Sequence, residues 1–139
     1  MAFDIRQRSV DGITVLSMSG RMTAGDPIDS VRSHFERLLK SGINRVVLDL
    51  RDTTYIDSSA LGCLVMAHTR SAEADGKMTI FGLSSRQLEL MVLTKLTTVF
   101  EIYQEEMDAI DACIPGRQPR RFDLLEFVER QRREKKAEA

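Results

Sequence analysis

The chain has 139 residues, a length typical of one domain rather than two. Hydrophobic residues make up 42% and charged residues 29%, so we expect an ordinary core and a soluble surface. A formal net charge of -1, the absence of tryptophan and 6% aromatic residues argue against nucleic acids, acidic polymers and stacked sugars as partners.

Cysteine content and targeting signals bear on the compartment. Cys63 and Cys113 are too few for a disulfide framework, so both are predicted to be buried thiols. The first residues lack a basic segment followed by an apolar run, which predicts no signal peptide. The longest apolar-rich stretch, residues 60–67, is too short to cross a bilayer. We therefore expect a cytoplasmic protein with no direct membrane insertion.

The first 42 residues predict a hairpin followed by a helix. Residues 3–7 alternate in polarity like a half-buried strand, and the turn dipeptide Asp11-Gly12 joins them to a second strand over 13–18. After a loop of small residues, Asp26 is a candidate cap for a helix over 27–40, where apolar residues recur at helical spacing.

The middle of the chain predicts a buried strand, a loop and a helix. Residues 45–50 form a β-branched run typical of a central strand. Residues 51–59 are predicted to be a polar loop, and a helical pattern follows over 59–74. The apolar face of this helix is predicted to comprise Leu61, Leu64, Val65 and His68.

The last elements of the domain are a strand over 77–82, a helix capped by Ser84 or Ser85, a strand over 100–103 and a helix over 104–112 with Met107, Ile110 and Cys113 inward. The order is β-β-α-β-α-β-α-β-α. It predicts a single α/β domain whose sheet is mostly parallel, with an antiparallel N-terminal edge strand.

Composition changes after Cys113 and predicts three segments: a domain over 1–113, a linker with two prolines over 114–120, and a charged amphipathic helix or tail over 121–139. Residues 117–139 carry 8 basic and 5 acidic side chains, a mixture that weakens attraction to nucleic acid or anionic lipid. Two alternatives stay open for this C-terminal extension: its apolar half packs on the domain, or it docks on a partner.

The segment with chemical content is Asp57-Ser58-Ser59, where a strand and loop lead into a helix. All three residues are good N-caps, and a cap is the simpler interpretation. The free N–H groups of a helix N-terminus also favour a phosphate, so a serine here is a candidate phosphoacceptor. The helix then carries the small residues Ala60, Gly62 and Cys63, which would let a partner backbone approach closely. The alternative is that Gly62 packs tightly on its own sheet.

Residues 57–62, Asp-Ser-Ser-Ala-Leu-Gly, resemble the signature of STAS domains, which are named for sulphate transporters and anti-sigma-factor antagonists. The element order over residues 1–113 is similar to the family too. Ala60 stands where the family often has glycine, and the chain from about residue 115 lies outside the family pattern. The resemblance implies a STAS-like fold, with Ser58 as the phosphoacceptor and Asp57 and Ser59 flanking it. We expect partner contacts at Thr23, Asp26, Ala60, Gly62 and Cys63.

The resemblance implies an anti-sigma factor antagonist that regulates sigma-factor-dependent transcription. Its partner would be an anti-sigma factor that is also a serine kinase; phosphorylation of Ser58 would end binding, and a phosphatase would restore it. No enzyme activity, metal or cofactor is expected, and a homodimer is left open. The alternative is a non-switching STAS scaffold subunit of a stress-signalling or lipid-transport complex.

Two other classes fit the residues less well. A receiver-type phospho-aspartate domain could use Asp49 or Asp52, but the early strands supply no acidic pair to hold Mg²⁺. An enzyme would need a base, and His34 and His68 both fall within predicted helices. The sequence also lacks a nucleophile-elbow or phosphate-loop motif.

Overall fold

A computed structural model of the chain describes residues 2–138 as a five-stranded sheet with helices on both faces. The strands are β1 Asp4–Val10, β2 Ile13–Met22, β3 Arg45–Ile56, β4 Lys77–Phe81 and β5 Glu101–Tyr103. The helices are α1 Asp26–Lys40, α2 Ser58–Glu73, α3 Ser85–Leu93, α4 Glu106–Asp111 and α5 Leu124–Glu138. The strand order is β1-β2-β3-β4-β5; β1 is antiparallel to β2 and the other neighbours are parallel. The predicted fold class is confirmed.

The β1–β2 hairpin follows from its turn residues. Asp11 and Gly12 both have positive φ, 52° and 81°, and Val10 pairs with Ile13 across them. Such a two-residue turn matches the twist of the strands it joins. This hairpin places β1 at the sheet edge and directs β2 into the centre beside β3.

The alternating side chains of the sheet supply two hydrophobic clusters. The larger lies under α1, α2, α3 and α5, and each contributes a buried side chain, such as Val31, Leu64, Met91 and Val128. The smaller cluster lies under α4 and contains Ile13, Val15, Val47, Phe81, Ala109, Ile110 and Cys113. Because both faces are covered, residues 46–50 of β3 are all buried, which explains their continuous apolar run except at Asp49.

The prediction of a polar loop over residues 51–59 is wrong, because β3 continues to Ile56. Pairing with β2 persists through two register shifts and ends at Met22 opposite Ile56. Thr53 is buried, and its hydroxyl donates to the carbonyl oxygen of Met18 at 2.9 Å. The strand pairing therefore extends through sequence that lacks an apolar pattern.

Three local predictions for the helices also change. Asp26 does not cap α1, because the N-cap is Gly25 at φ 99°, and no side chain of residues 2–138 caps this helix. In α4, Met107 is 50% exposed, whereas Ala109 and Ile110 point into the core. The buried face of α2 consists of Ala60, Cys63, Leu64, Ala67 and Ser71. Of the predicted face, only Leu64 is fully buried.

The prediction for the start of α3 is confirmed. Ser84, one of the two predicted caps, caps this helix in a full capping box with Gln87.

The C-terminal helix α5 packs on the body of the protein. Leu124 and Val128 are 8% and 3% exposed within the larger cluster, and Arg132 pairs with Glu89 of α3 at 3.1 Å. The apolar half of the extension is therefore folded back. The boundaries at residues 113 and 120 stay a prediction. No helix within residues 2–138 is both long and apolar enough to span a membrane.

Candidate functional site

The turn between β3 and α2 is built on the side chain of Asp57. This residue is the N-cap of α2, with extended backbone at φ -90° and ψ 178°. Its Oδ1 accepts a hydrogen bond from the backbone N–H of Ala60 at 2.8 Å. The capping interpretation of Asp57 is confirmed, and the cap fixes the direction in which α2 leaves the sheet.

The second oxygen of the same carboxylate joins this turn to another loop. Oδ2 of Asp57 accepts from the backbone N–H of Ala24 at 2.9 Å, and the N–H of Asp57 donates to the carbonyl of Met22 at 3.3 Å. The loop between β2 and α1 is thereby held against the start of α2. The predicted partner contacts Thr23 and Asp26 flank Ala24, so the structure brings them beside the Asp57 turn.

Hydrogen bonds lower the pKa of this carboxyl group. The backbone N–H of Ala24, followed by that of Ala60, holds the pKa of Asp57 below its usual value; the N–H of Ser59 and the positive charge of Arg21 lower it further. Both oxygens are occupied by fixed backbone donors. Asp57 therefore acts as a structural clamp between two loops.

Ser58 and Ser59 begin α2 and are both exposed. Within residues 2–138, hydrogen bonds hold the neighbouring Asp57 carboxylate, but no side-chain hydrogen bond engages either serine hydroxyl. Each hydroxyl is open to solvent at a helix N-terminus whose backbone is held in place. The assignment of Ser58 as the phosphoacceptor stays a prediction, and its exposed position is compatible with that role.

The predicted contacts on α2 divide between surface and core. Ala60 and Cys63 are 0% and 1% exposed, so the expectation that they contact a partner is wrong; both belong to the larger core cluster, and Cys63 lines a narrow cleft against Val31 and Phe35 of α1. Gly62 is exposed, and a methyl group built on it would meet nothing within 4 Å. The alternative that Gly62 is needed for packing on its own sheet is therefore also wrong.

Sequence reasoning missed an apolar groove next to the turn. It has a volume of about 360 Å³ and lies between the end of β3 and α3, with Tyr55, Ile56, Leu90 and Leu93 in its lining. Tyr55 is 45% and Leu93 67% exposed, which makes them two of four large apolar side chains exposed within residues 2–138. The sequence does not predict this groove, because Tyr55 lies in the segment that is predicted to be a polar loop. Arg21 of β2 covers one side of Tyr55, with its guanidinium carbon 4.4 Å from the ring centroid.

Three of the residues named in the rival interpretations contact other side chains. Asp49 is 4% exposed, and its carboxylate accepts hydrogen bonds from the side chains of Arg51 and Ser17. His34 contacts Gln7, and His68 lies edge-on to Phe100. No group of three or more metal-ligating side chains is arranged to hold an ion within residues 2–138.

Three solved structures share this fold. The first is an anti-sigma factor antagonist from Mycobacterium paratuberculosis, with a TM-score of 0.71 and 18% identity over 81% of this chain and 94% of that one. The second is an anti-sigma-factor antagonist (STAS) domain protein from Planctomyces limnophilus, with a TM-score of 0.66 and 21% identity over 78% and 97%. The third is the phosphorylated form of the Bacillus cell fate determinant SpoIIAA, with a TM-score of 0.61 and 15% identity over 80% and 98%.

Sequence relatives point the same way. The anti-sigma-B factor antagonist of Listeria monocytogenes is 27% identical over 106 residues, which cover 76% of this chain and 91% of the relative. A STAS-domain containing protein of Pseudomonas aeruginosa is 28% identical over 95 residues, or 68% and 92% of the two chains. The family model for the STAS domain matches residues 4–109, from β1 into α4, and leaves α5 outside. Because this match includes all five strands and the Asp57 turn, the chain belongs to the STAS domain family.

Proposed function

We propose that this protein is an anti-sigma factor antagonist that binds an anti-sigma factor through the surface around Ser58 and loses it when Ser58 is phosphorylated. Proteins named as anti-sigma-B factor antagonists are similar to this chain over 91% of their length. The observation that carries the proposal is an exposed, unengaged Ser58 hydroxyl on a turn whose backbone Asp57 clamps from two sides.

The docking surface consists of Ser58, Gly62 and the loop residues Thr23 and Asp26. The exposed Gly62 lies one helical turn after Ser58 and has open space around it. Glycine within a helix costs roughly 1 kcal/mol relative to alanine, and no close contact within residues 2–138 requires it at position 62. A partner backbone that approaches α2 closely at this point would explain the glycine, because a larger side chain would keep the partner away.

The switch is a charge change on a rigid surface. The partner is an anti-sigma factor that is also a serine kinase. It transfers the γ-phosphoryl group of ATP to Oγ of Ser58; the hydroxyl proton is released and ADP leaves. The phosphate adds about -1.5 to -2 charges beside the ionised Asp57, which opposes an apolar or acidic partner surface. A phosphatase hydrolyses the phosphate with water and restores binding.

Fixed geometry explains how this signal works without unfolding the domain. A phosphate at the start of α2 lies at the positive end of the helix dipole, so the folded state tolerates it. The change is confined to the docking surface. The anti-sigma factor then returns to its sigma factor, and transcription that depends on the sigma factor falls.

The test is phosphorylation by the purified anti-sigma factor with ATP and Mg²⁺, followed by intact-mass measurement. We expect one phosphate on the wild type and on Ser59→Ala, and none on Ser58→Ala. Ser59→Ala is the matched control because Ser59 is the neighbouring exposed hydroxyl on the same helix. An unmodified wild type that still binds the anti-sigma factor would indicate a non-switching scaffold and contradict the proposal. Loss of the phosphate in Ser59→Ala would move the acceptor to Ser59.

A further inference from the structure

Arg21 is a cation close to the Ser58 turn that forms no ion pair within residues 2–138. It is exposed, it pairs in register with Tyr55 of β3, and its guanidinium stacks on the Tyr55 ring. Other arginines of the described chain, such as Arg51 and Arg132, form ion pairs with carboxylates. Within residues 2–138, Arg21 instead contacts an aromatic ring. The charge of Arg21 is therefore available.

The position of Arg21 at the end of β2 places it next to the loop that Asp57 holds. Arg21 immediately precedes Met22, whose carbonyl accepts from the N–H of Asp57. Arg21 also lines a cleft of about 400 Å³ together with Thr23 and Asp26 of the clamped loop. The positive charge of Arg21 also contributes to the lowered pKa of Asp57, after the backbone hydrogen bonds to that carboxylate.

We propose that Arg21 is the counter-ion of the phosphate on Ser58, and that its guanidinium leaves the Tyr55 ring to bind the phosphate oxygens. This inference rests on the proposed function for the identity of the modification. A cation–π contact at an exposed site is weak, whereas a planar guanidinium forms strong paired hydrogen bonds with a phosphate. The added charge at Ser58 therefore shifts the balance from the ring to the phosphate.

The exchange has a consequence for the apolar groove. Tyr55 lines that groove with Leu90 and Leu93, and Arg21 covers one side of its ring in the unmodified protein. When Arg21 moves, the Tyr55 ring is uncovered and can change its orientation. Phosphorylation thus alters an apolar part of the surface as well as its charge.

The test uses the full chain with phosphoserine incorporated at position 58 during translation, titrated by ³¹P NMR. We expect Arg21→Gln to raise the second pKa of the phosphate by about half a unit relative to the unsubstituted chain, the size of one exposed ion pair. Arg21→Lys should restore most of the difference because it keeps the charge. Arg86→Gln is the matched control, since Arg86 is exposed on α3 at the opposite side of the groove, and it should leave the pKa unchanged.

A second readout follows the ring. The Tyr55 ring proton shifts should change on phosphorylation in the unsubstituted chain and change much less in Arg21→Gln. Equal phosphate pKa values in the unsubstituted and Arg21→Gln proteins, with circular dichroism showing both folded, would overturn the proposal. A larger effect of Arg86→Gln would overturn it too. Because phosphoserine is installed without a kinase or partner, this result stands or falls separately from the proposed antagonist function.

Discussion

Asp49 and Asp57 lie eight residues apart in the chain, but their carboxylates have different structural roles. Asp49 lies inside β3, is 4% exposed and is held by the side chains of Arg51 and Ser17. Asp57 lies just beyond β3 and is held by backbone N–H groups of Ala24 and Ala60. The first carboxylate fixes side chains across the sheet, whereas the second fixes two loops and leaves the adjacent serine free.

The pKa values of both carboxyls are lowered, for different reasons. Burial by itself would raise the pKa of Asp49, but hydrogen bonds from Arg51 and Ser17 outweigh it, so the net shift is downward. Asp57 is shifted by backbone hydrogen bonds, first from Ala24 and then from Ala60. The comparison predicts that changes at Asp49 act on global stability and that changes at Asp57 act on the docking surface.

The largest expected effect is at Asp49. Asp49→Asn removes the charge that Arg51 binds and should lower the free energy of unfolding by about 2 kcal/mol, less than for a fully buried pair because the Arg51 side chain is 58% exposed. Urea denaturation measures this. The control is Asp52→Asn, an exposed position of the same strand, which should change stability by less than about 0.5 kcal/mol. Equal losses in both variants would contradict the role given to Asp49.

The Asp49 contribution should also depend on pH. Because the folded-state pKa of Asp49 lies below its value of about 3.9 in unfolded chains, its stabilisation is complete above that pH and is lost as pH falls through the lowered pKa. The difference in stability between wild type and Asp49→Asn should therefore shrink below about pH 4. A difference that stays constant from pH 7 to pH 2 would mean that the charge of Asp49 does not stabilise the fold.

Asp57→Ala should give a smaller loss of stability and a local effect. Without the carboxylate, the N–H groups of Ala24 and Ala60 lose their acceptor, so their amide hydrogen exchange should become faster. Asp57→Asn keeps an acceptor at the N-cap and should protect Ala60 nearly as well as aspartate does. Unchanged exchange at Ala24 in Asp57→Ala would show that the two loops are not held together by this side chain.

The smallest effect on stability is expected at Gly62, and it has the opposite sign. Gly62→Ala should stabilise the free protein by about 0.5–1 kcal/mol, because the site has open space and alanine is the better helix former. Gly62→Leu should fold as well as wild type but bind the anti-sigma factor more weakly. Calorimetric unfolding and binding titrations separate the two effects. If Gly62→Leu binds as tightly as wild type, α2 does not approach the partner at this point.

Local sequence signals were sufficient for the fold class and for most of the elements. The Asp11-Gly12 turn, the continuous apolar run of β3 and the helical periodicity of α1 each depend on near neighbours in the chain. The end of β3 was missed because residues 51–56 pair with β2 across some thirty residues, a contact that leaves no apolar pattern at the exposed positions.

The site was predicted only in part, for the same reason. The residue types of the Asp57-Ser58-Ser59 turn predict a helix cap. The hydrogen bond from the N–H of Ala24 to the Asp57 carboxylate joins residues 33 apart, so no local sequence pattern predicts it. The prediction for the buried face of α2 was wrong because it used hydrophobicity alone. The size of the side chains also decides which face of a helix packs closely, and the small residues Ala60, Cys63 and Ala67 are buried in the core. The groove at Tyr55 and Leu93 forms where the end of β3 lies beside α3. These two segments are distant in the chain, so the sequence of neither one predicts the groove.

The most direct test of the central claim is the equilibrium affinity of the purified anti-sigma factor for wild type, Ser58→Ala and Ser58→Asp, measured by titration calorimetry. We predict that Ser58→Ala binds as wild type does and that Ser58→Asp binds at least about tenfold more weakly, a difference of about 1.4 kcal/mol. Equal affinity of all three would contradict the account, because a negative charge at the start of α2 would then leave the docked partner in place.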